Sequence, residues 1–254
     1  MKISVVISVY NGAPIIEEAI KSAFLLTDDV VVVDTESTDD TIEIAKKLGC
    51  RILHFPFNRY VEPSREFAIS STKGDWVFIL DSDERITDAL AKEIKNTLES
   101  TDHSFFYMPR KNVFAGKKWL QHGGWYPDYV LRLIKKDAFK KWPTAIHSTP
   151  IINGTSAKLS EALMHYFHPN LENMVEKTAV FEDIESDLLF NANRPVKLLT
   201  FFRKYLGELN RRLVIKAGFL DGTMGVIESF YQAYSKTITY LMLYEKYKKK
   251  NTSS

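Results

Sequence analysis

Residues 76–83 read Trp-Val-Phe-Ile-Leu-Asp-Ser-Asp, an unbroken apolar run that ends in two carboxylates. The run is short and rich in β-branched and aromatic side chains, which predicts a strand buried on both faces. If the chain stays extended through Asp83, side-chain alternation points Asp81 and Asp83 the same way. Such carboxylates can hold a hard divalent cation beyond the carboxyl end of a strand. Acids at this spacing also occur at turns and helix starts, so the triplet needs its context.

The context is an alternation of strands and helices through the first half of the chain. This order predicts an α/β fold with a mostly parallel central sheet and flanking helices. Polar residues follow three of the strands, at 10–11, 34–40 and 81–84, and we expect them to meet at one edge of the sheet. The predicted strands are 3–10, 30–33, 51–55 and 76–80, and the predicted helices between them are 14–24, about 39–49 and 64–72.

Several of these segments, in this order, resemble the signatures of family 2 glycosyltransferases with the GT-A fold. The resemblance is carried by Ser8-Val9-Tyr10-Asn11, the run from Val32 to Thr41, Lys73-Gly74-Asp75-Trp76 and Asp81-Ser82-Asp83-Glu84-Arg85. Later segments are similar to one branch, which includes inner-core lipopolysaccharide glucosyltransferases. They are Gly124-Trp125-Tyr126-Pro127-Asp128-Tyr129 with Leu131-Arg132-Leu133, and Gly218-Phe219-Leu220-Asp221-Gly222 with Gly225. Where that branch has Glu after a late His, this chain has His147-Ser148, so no role of that Glu is transferred.

The resemblance implies a donor site for a nucleotide-diphosphate sugar, with a UDP-sugar favoured. It places Tyr10, Asn11 and Asp34 around the nucleotide, and Asp81, Ser82 and Asp83 beside the donor. Arg65 is a candidate contact to a phosphate or base near a helix amino end, where the helix dipole favours anions. From the residues alone, Asp34 can equally form a turn and Arg65 can equally face solvent.

The resemblance also implies Mg²⁺ or Mn²⁺ on Asp81 and Asp83. A cation that bridges the diphosphate oxygens stabilises the nucleoside diphosphate as it leaves the sugar. Mg²⁺ binds few protein carboxylates together with phosphates and water, so a dense cluster of ligands is not required. A late imidazole, His165 or His168, is a further candidate ligand, although these two residues also fit a strand with one buried and one exposed His.

Transfer to a hydroxyl needs a general base, since the attacking alcohol loses its proton. The resemblance places an acidic base a few positions before an Arg, which selects Asp128 ahead of Arg132. Trp125 and Tyr126 lie next to this Asp in the sequence and suit a sugar ring on the acceptor side. The same aromatic side chains would also suit a hydrophobic core.

The composition sets wider limits on function. A chain of 254 residues can bury a full core. The single Cys50 excludes an internal disulfide and fits a reducing compartment. With 34 Lys and Arg against 32 Asp and Glu, the chain is too balanced for a nucleic-acid binder that relies on phosphate contacts. Met1-Lys2 leads directly into a strand, so we expect a cytoplasmic protein without a secretory signal.

Beyond residue 170 the pattern becomes helical, at 171–191, from 195 to about 216 and from 219 to about 248. We therefore predict a GT-A domain at 1–170 and a helical extension at 171–254. Glu228 and Lys236 interrupt the last helix, which argues against a transmembrane span. The basic second helix can pack on a core or on another subunit of a homo-oligomer. It can also rest on an anionic inner leaflet and receive a lipid-linked acceptor.

Together these features predict an inverting, metal-dependent transfer of a hexose to a glycan or glycolipid, as in the synthesis of lipopolysaccharide or another cell-surface polysaccharide. Three alternatives stay open: a glycosyltransferase with a protein or peptide acceptor, a sugar nucleotidyltransferase and a non-catalytic nucleotide-sugar-binding protein. A nucleotidyltransferase would be expected to carry a Gly-rich phosphate loop after the first strand. Asn11-Gly12-Ala13-Pro14 is a poor match to one.

Overall fold

A computed structural model describes residues 1–146, 148–168 and 170–252, and it divides the chain into two compact units. The first unit consists of residues 1–111 and 128–165. The second consists of residues 112–127 and the chain from residue 166 onward. A segment from the middle of the sequence is therefore grouped with the carboxyl-terminal helices.

The elements follow one another as short strands and helices, and long helices close the chain. The strands are β1 (Ile3–Val9), β2 (Val30–Asp34), β3 (Arg51–His54), β4 (Trp76–Ile79), β5 (Glu84–Arg85), β6 (Phe105–Phe114), β7 (Lys118–Trp119), β8 (Asp128–Lys135), β9 (Phe139–Lys141), β10 (Ile151–Ile152), β11 (Ser156–Lys158) and β12 (Leu163–Phe167). The helices are α1 (Ile16–Ala23), α2 (Thr41–Lys47), α3 (Glu62–Ser70), α4 (Asp88–Leu98), α5 (Leu171–Asn191), α6 (Leu198–Leu209) and α7 (Gly222–Thr252). A π-helical segment, Asn210–Ile215, and a 3₁₀ turn, Gly218–Asp221, connect α6 to α7.

The main sheet has the strand order β3-β2-β1-β4-β8-β6-β12-β5. Strands β1 to β4 pair in parallel, and β8 pairs antiparallel with both β4 and β6. The predicted α/β fold with a mostly parallel sheet and flanking helices is confirmed. In register, Val9 lies opposite Asp34 and Val6 opposite Ile79, so the carboxyl ends of β1, β2 and β4 are neighbours.

Burial on both faces explains why the central strands contain almost no polar residues. All four residues of β4 are buried, as the continuous apolar run predicts. On one face, α1 packs with Ile16, Ala19, Ile20 and Ala23, which recur at the spacing of one helical face. Each fully buried Ile or Phe of such a core contributes about 1.5 to 3 kcal/mol relative to its exposed state.

The second unit is organised around α7. Tyr231 of this helix donates to the carbonyl of Met174 in α5 at 2.9 Å, and Lys246 pairs with Asp183 at 3.0 Å. Because the contacts advance together along both helices, α5 and α7 run in the same direction. Helix α6 runs the opposite way, because Phe201 packs on Tyr244, with ring centres 6.2 Å apart, whereas Lys204 Nζ lies 4.7 Å from the ring centre of the earlier Tyr240. Within the described residues, no helix is both long enough and apolar enough to cross a membrane.

Glu228 is a buried carboxylate in the middle of α7. Its Oε1 accepts a hydrogen bond from Gln232 at 2.8 Å, whereas its Oε2 has no hydrogen-bond partner among the described residues. Burial raises the pKa of Glu228 to about 7, although the Gln232 hydrogen bond and the charge of Arg212 oppose this shift. The folded protein therefore retains a proton on Glu228 at a pH where the unfolded chain has lost it.

We predict that Glu228→Gln removes a pH-dependent loss of stability. Between pH 4.5 and about 7 the folded state binds more protons than the unfolded state, so the free energy of unfolding falls as pH rises. The shift corresponds to about 3 kcal/mol, expressed fully above pH 7.5 and absent below pH 4.5. Urea unfolding across this range should show the wild type losing that amount relative to the Gln variant. Glu176→Gln, at an exposed site on α5, is the control, and parallel pH profiles for wild type and Glu228→Gln would contradict the prediction.

Candidate active site

The loops after β1 and β2 are hydrogen-bonded to each other at the edge of the sheet. Asn11 adopts a left-handed backbone, with φ of 46°, and its side-chain oxygen accepts from the Thr38 amide at 2.8 Å. The Asn11 amide donates to Ser37 Oγ at 2.9 Å. Tyr10 beside it is exposed and packs on Phe57, with ring centres 4.7 Å apart. Tyr10 and Asn11 therefore lie at the predicted edge of the sheet.

Asp34 ends β2 and is buried. Its carboxylate accepts a hydrogen bond from the Ser37 amide at 3.2 Å, so Asp34 stabilises the loop that follows β2. His54 Nδ1 lies 3.7 Å from the same carboxylate. The turn-forming role is thus present in the structure, and a role in nucleotide binding stays a prediction.

Asp81, Ser82 and Asp83 form a turn, and the expectation of an extended chain through Asp83 is wrong. Strand β4 ends at Ile79, and the amide of Glu84 donates to the carbonyl of Asp81 at 2.9 Å. The guanidinium of Arg85 holds this turn from outside, with a hydrogen bond to the Ser82 carbonyl at 2.8 Å. Because the backbone reverses here, Asp81 and Asp83 have different partners.

Asp81 is bound by two arginines. Arg65 of α3 donates to its Oδ1 at 2.8 Å, and Arg132 of β8 donates to its Oδ2. Burial on its own would raise the pKa of Asp81, but the charges of Arg132 and Arg65 outweigh it and hold the pKa well below its usual range. Asp81 is therefore ionised at neutral pH.

The arginine contacts continue from Asp81 to Asp128. Arg132 also donates to Glu84 Oε1 at 2.7 Å, and Arg110 of β6 reaches the same oxygen at 3.1 Å. Arg110 then makes two hydrogen bonds to Asp128 Oδ2, at 2.8 and 2.7 Å. Arg110 and Asp128 can meet because they are opposite one another in the β6–β8 ladder. We call these six residues the ion-pair chain: Arg65, Asp81, Arg132, Glu84, Arg110 and Asp128.

Asp83 lies next to His165. His165 Nε2 is 3.6 Å from Asp83 Oδ2, and both side chains are largely buried. The pairing follows from register, because His165 of β12 lies opposite Glu84 of β5. His168, the other predicted imidazole, belongs to the second unit and packs there on Phe167, with ring centres 5.0 Å apart. The described residues contain no group of three or more His, Cys, Asp or Glu side chains placed to hold a metal ion.

The predicted acceptor-side aromatics lie in the second unit. The Trp125 ring stacks on Phe167 at 4.7 Å and has the Arg212 guanidinium 5.0 Å from its centre. Tyr126 packs edge-on against Trp119 at 5.3 Å. Trp125 thus contributes to the core of this unit, which was the alternative left open by the sequence. Arg132, also predicted on the acceptor side, bridges Asp81 and Glu84, and its role toward an acceptor stays a prediction.

Asp221 is a positioning residue that the sequence reasoning did not single out. Its Oδ2 accepts from the backbone amides of Gln121 and His122, at 2.9 and 2.8 Å. It therefore anchors the loop that carries Trp125 and Tyr126. Its place in the Gly218-to-Gly225 motif was the available signal. A Cβ atom on Gly225 would lie 2.1 Å from the carbonyl oxygen of Gly218, so the turn that holds Asp221 requires glycine.

Two members of the ion-pair chain had no assigned role in the sequence argument. Arg110 lies in none of the recognised motifs, and only the pairing of β6 with β8 brings it next to Asp128. Glu84 was recognised as part of the acidic segment, yet its burial could not be read from spacing. His147, which precedes the Ser148 departure from the family pattern, lies outside the described residues.

Comparison with known proteins identifies the family. The model of the family described as Glycosyl transferase family 2 matches residues 4–158, which contain the loops of β1 and β2 and the whole ion-pair chain. The chain therefore belongs to glycosyl transferase family 2. It is a glycosyltransferase with a GT-A fold, and both predictions are confirmed.

Relatives and solved structures agree with this assignment. An uncharacterized glycosyltransferase of Rickettsia conorii is 27% identical over 256 residues, which cover 96% of this chain and 90% of the relative. A cholesterol galactosyltransferase of Borreliella burgdorferi is 25% identical over 198 residues, covering 72% of this chain and 53% of the relative. The crystal structure of residues 1–349 of S. aureus TarS has a TM-score of 0.50 at 18% identity, covering 98% of this chain and 92% of that one.

We predict that Glu84→Gln destabilises the fold. The Glu84 side chain is 0% exposed and lies between Arg110 and Arg132, so the amide leaves two largely buried guanidinium groups with one fewer compensating charge. Removing one partner of a buried ion pair costs about 3 to 5 kcal/mol, and the amide should retain part of the hydrogen bonding. We expect a loss of about 3 kcal/mol in urea unfolding. Glu43→Gln, on the exposed face of α2, should change stability little; equal small effects of the two substitutions would argue against this role of Glu84.

Proposed function

We propose that the protein transfers a hexose, with inversion, from a nucleotide-diphosphate sugar to a glycan or glycolipid acceptor. The observation that carries the proposal is the position of Asp81-Ser82-Asp83. The triplet follows β4, whose carboxyl end is adjacent to the loops of β1 and β2 within the segment that matches the family. Ligands of α/β sheets bind at this edge.

The charges of the site support a divalent cation. The three guanidinium groups of the ion-pair chain are balanced by three carboxylates, and at the adjoining turn the charge of Asp83 is offset by that of Arg85. A diphosphate would therefore reach an edge whose arginines are already neutralised by the protein. Mg²⁺ or Mn²⁺ would supply the missing positive charge and stabilise the departing nucleoside diphosphate.

Asp83 and His165 are the side chains that fit this cation. Their closest oxygen and nitrogen atoms are 3.6 Å apart, a separation that leaves room for a shared ion, and diphosphate and water would complete the shell. Asp81, the other predicted ligand, is engaged by Arg65 and Arg132. We assign Asp81 the role of orienting these arginines beside the donor. A cation that contacted Asp81 would share its carboxylate with the two arginines.

On the acceptor side we propose Asp128 as the general base. Arg110 holds Oδ2 of Asp128 through two hydrogen bonds, which fixes the direction of the carboxylate. The carboxylate can still accept the proton of the acceptor hydroxyl. Glu84, the next acidic residue in the chain of contacts, is fully buried between two arginines and is poorly suited to meet an acceptor. Trp125 and Tyr126, separated from Asp128 by Pro127, stay predicted contacts for the acceptor.

Two of the similar proteins bear on the nature of the substrates. TarS, which shares the fold, has been solved with UDP and with UDP-GlcNAc, which supports a UDP-sugar as the donor. The Borreliella burgdorferi relative is named for a lipid acceptor, cholesterol, which supports a lipid or glycolipid acceptor here. We place the reaction in the cytoplasm, in the synthesis of a cell-envelope glycan such as lipopolysaccharide.

We predict that UDP with Mn²⁺ raises the unfolding temperature by several degrees and that Asp83→Asn removes most of this rise. Ligand that binds only the folded state adds about 2.7 kcal/mol at a concentration 100 times its dissociation constant. The Asn variant should unfold near the wild-type temperature without ligand, because Asp83 lies outside the ion-pair chain. Differential scanning fluorimetry with UDP, other nucleoside diphosphates and UDP-sugars measures the effect and ranks the donors.

Asp102→Asn, at an exposed carboxylate, provides the matched control and should retain the full metal-dependent shift. His165→Ala should weaken the Mn²⁺ effect as Asp83→Asn does. A full metal-dependent shift in the Asp83→Asn variant would exclude Asp83 as a metal ligand.

We predict that Asp128→Asn loses transfer by 10²- to 10⁴-fold while donor binding stays near the wild-type level. The amide keeps the size of the side chain and can still accept a hydrogen bond from Arg110, but it cannot take the acceptor proton. Transfer to acceptor, donor affinity and unfolding temperature should be measured on the same preparations. Loss of donor affinity would assign Asp128 to the donor site, and near-normal turnover would place the base on another residue.

A further inference from the structure

Helix α6 presents a row of large apolar side chains to solvent. Leu198, Leu199, Phe202 and Leu206 are between 59% and 77% exposed. Their spacing places them on one face of the helix. The neighbouring Phe201 faces α7 instead, where its ring centre lies 6.2 Å from that of Tyr244. A contiguous exposed apolar face of this kind marks a surface that binds a partner.

A groove of about 1110 Å³ runs beside this face. Its apolar wall includes Leu189, Leu199, Leu206 and Tyr240. Four basic residues also line it: Arg194, Lys197, Arg203 and Lys204. None of the described residues that line the groove carries a carboxylate. The groove therefore combines this apolar wall with a border of basic residues.

The segment around the groove has a strongly positive charge in a chain whose total is near neutral. From Arg194 to Lys216 it contains seven Lys and Arg residues and one acid, Glu208. Glu208 is occupied by Arg211 and Arg212, with the Arg212 contact at 2.7 Å. Arg212 also donates to the Gly123 carbonyl at 3.2 Å, so these two arginines serve structure within the unit. Lys204 packs on Tyr240, so Lys197 and Arg203, which are exposed, are groove cations placed to meet an outside partner.

We propose that α6 docks on an anionic phospholipid bilayer. The helix lies in the plane of the interface, with Leu198, Leu199, Phe202 and Leu206 inserted among the acyl chains. The border residues Lys197 and Arg203 contact the headgroup phosphates. An amphipathic helix with bulky apolar residues on one face and basic residues beside them binds membranes in this way, and each basic residue near an anionic surface adds to the attraction.

Charge favours a membrane over a second copy of the chain. In a two-fold dimer the same patch would face itself, which would bring the cationic borders of the two grooves together. Like charges placed across an interface oppose association, and the centre of a protein interface is usually depleted of charged residues. An anionic bilayer instead accepts the apolar face among its acyl chains and pairs the basic border with its headgroup phosphates.

The experiment is sedimentation of the full-length protein with vesicles of phosphatidylcholine alone or with one-third phosphatidylglycerol. We expect the wild type to bind the anionic vesicles at least tenfold more tightly than the neutral ones, with binding that weakens as salt is raised. Phe202→Ser with Leu206→Ser should abolish binding. Lys197→Glu with Arg203→Glu should reduce it by about 25-fold or more on anionic vesicles, since each basic residue contributes about fivefold.

Matched controls separate the surface from general effects. Val175→Ser removes an exposed apolar side chain from α5, and Lys46→Glu with Lys47→Glu reverses two exposed charges on α2; both should bind vesicles like the wild type. Unfolding temperatures should be unchanged in every variant because the substituted side chains are exposed. The UDP-dependent shift is measured in parallel, so failure of docking and failure of the proposed transferase function are distinguishable.

A labelling experiment gives the orientation. Burial raises the pKa of Cys50, the native thiol, to about 11, so a new exposed thiol can be labelled in preference to it. An environment-sensitive dye on Leu199→Cys should shift to the blue with anionic vesicles, whereas the dye on Val175→Cys should not. Absence of wild-type binding, full binding by the Phe202→Ser, Leu206→Ser variant, or a dimer in light scattering that this variant dissociates would each overturn the proposal.

Discussion

The ion-pair chain from Arg65 to Asp128 is the constraint on which the rest of the first unit depends. It joins α3, the turn after β4, β5, β6 and β8, which are distant in sequence. A buried guanidinium or carboxylate is costly without its partner, so Glu84, the fully buried member, depends on the two arginines on either side of it. The edge of the sheet is thereby held by six charges that come from five different parts of the fold, with Asp128 and Arg132 both on β8.

This arrangement separates the roles of two carboxylates that are only two residues apart. Asp81 turns toward Arg65 and Arg132, and Asp83 turns toward His165. The turn that Arg85 stabilises is the local cause of that difference. Asp81 is thus ionised and fixed by its two arginines, whereas Asp83, beside His165, is the carboxylate that we propose as a ligand of the cation.

The apolar side chains of the second unit are packed around α7 and exposed along α6. Around α7, aromatic and aliphatic side chains are packed against α5, and even the carboxylate of Glu228 is buried among them. Along α6, side chains of the same type are left in water beside a group of basic residues. Periodicity alone could not distinguish these faces, because an amphipathic pattern shows that a face is apolar and leaves its partner unspecified. The contacts of Phe201 and Lys204 with α7 are what identify the outward face.

The sequence by itself determined the four parallel strands β1 to β4 and the family, whereas the strands from β5 to β11 were not predicted. Continuous apolar strands, their alternation with helices and the polar residues after each strand are local patterns, and they were sufficient to place Asn11, Asp34 and Asp81 at one edge. Tertiary structure decided which charges meet. Arg110 reaches Asp128 through strand register, Asp83 reaches His165 through the pairing of β5 with β12, and Trp125 joins a core. The physical reason is that register and packing depend on contacts between residues far apart in the chain, which no spacing along the sequence encodes.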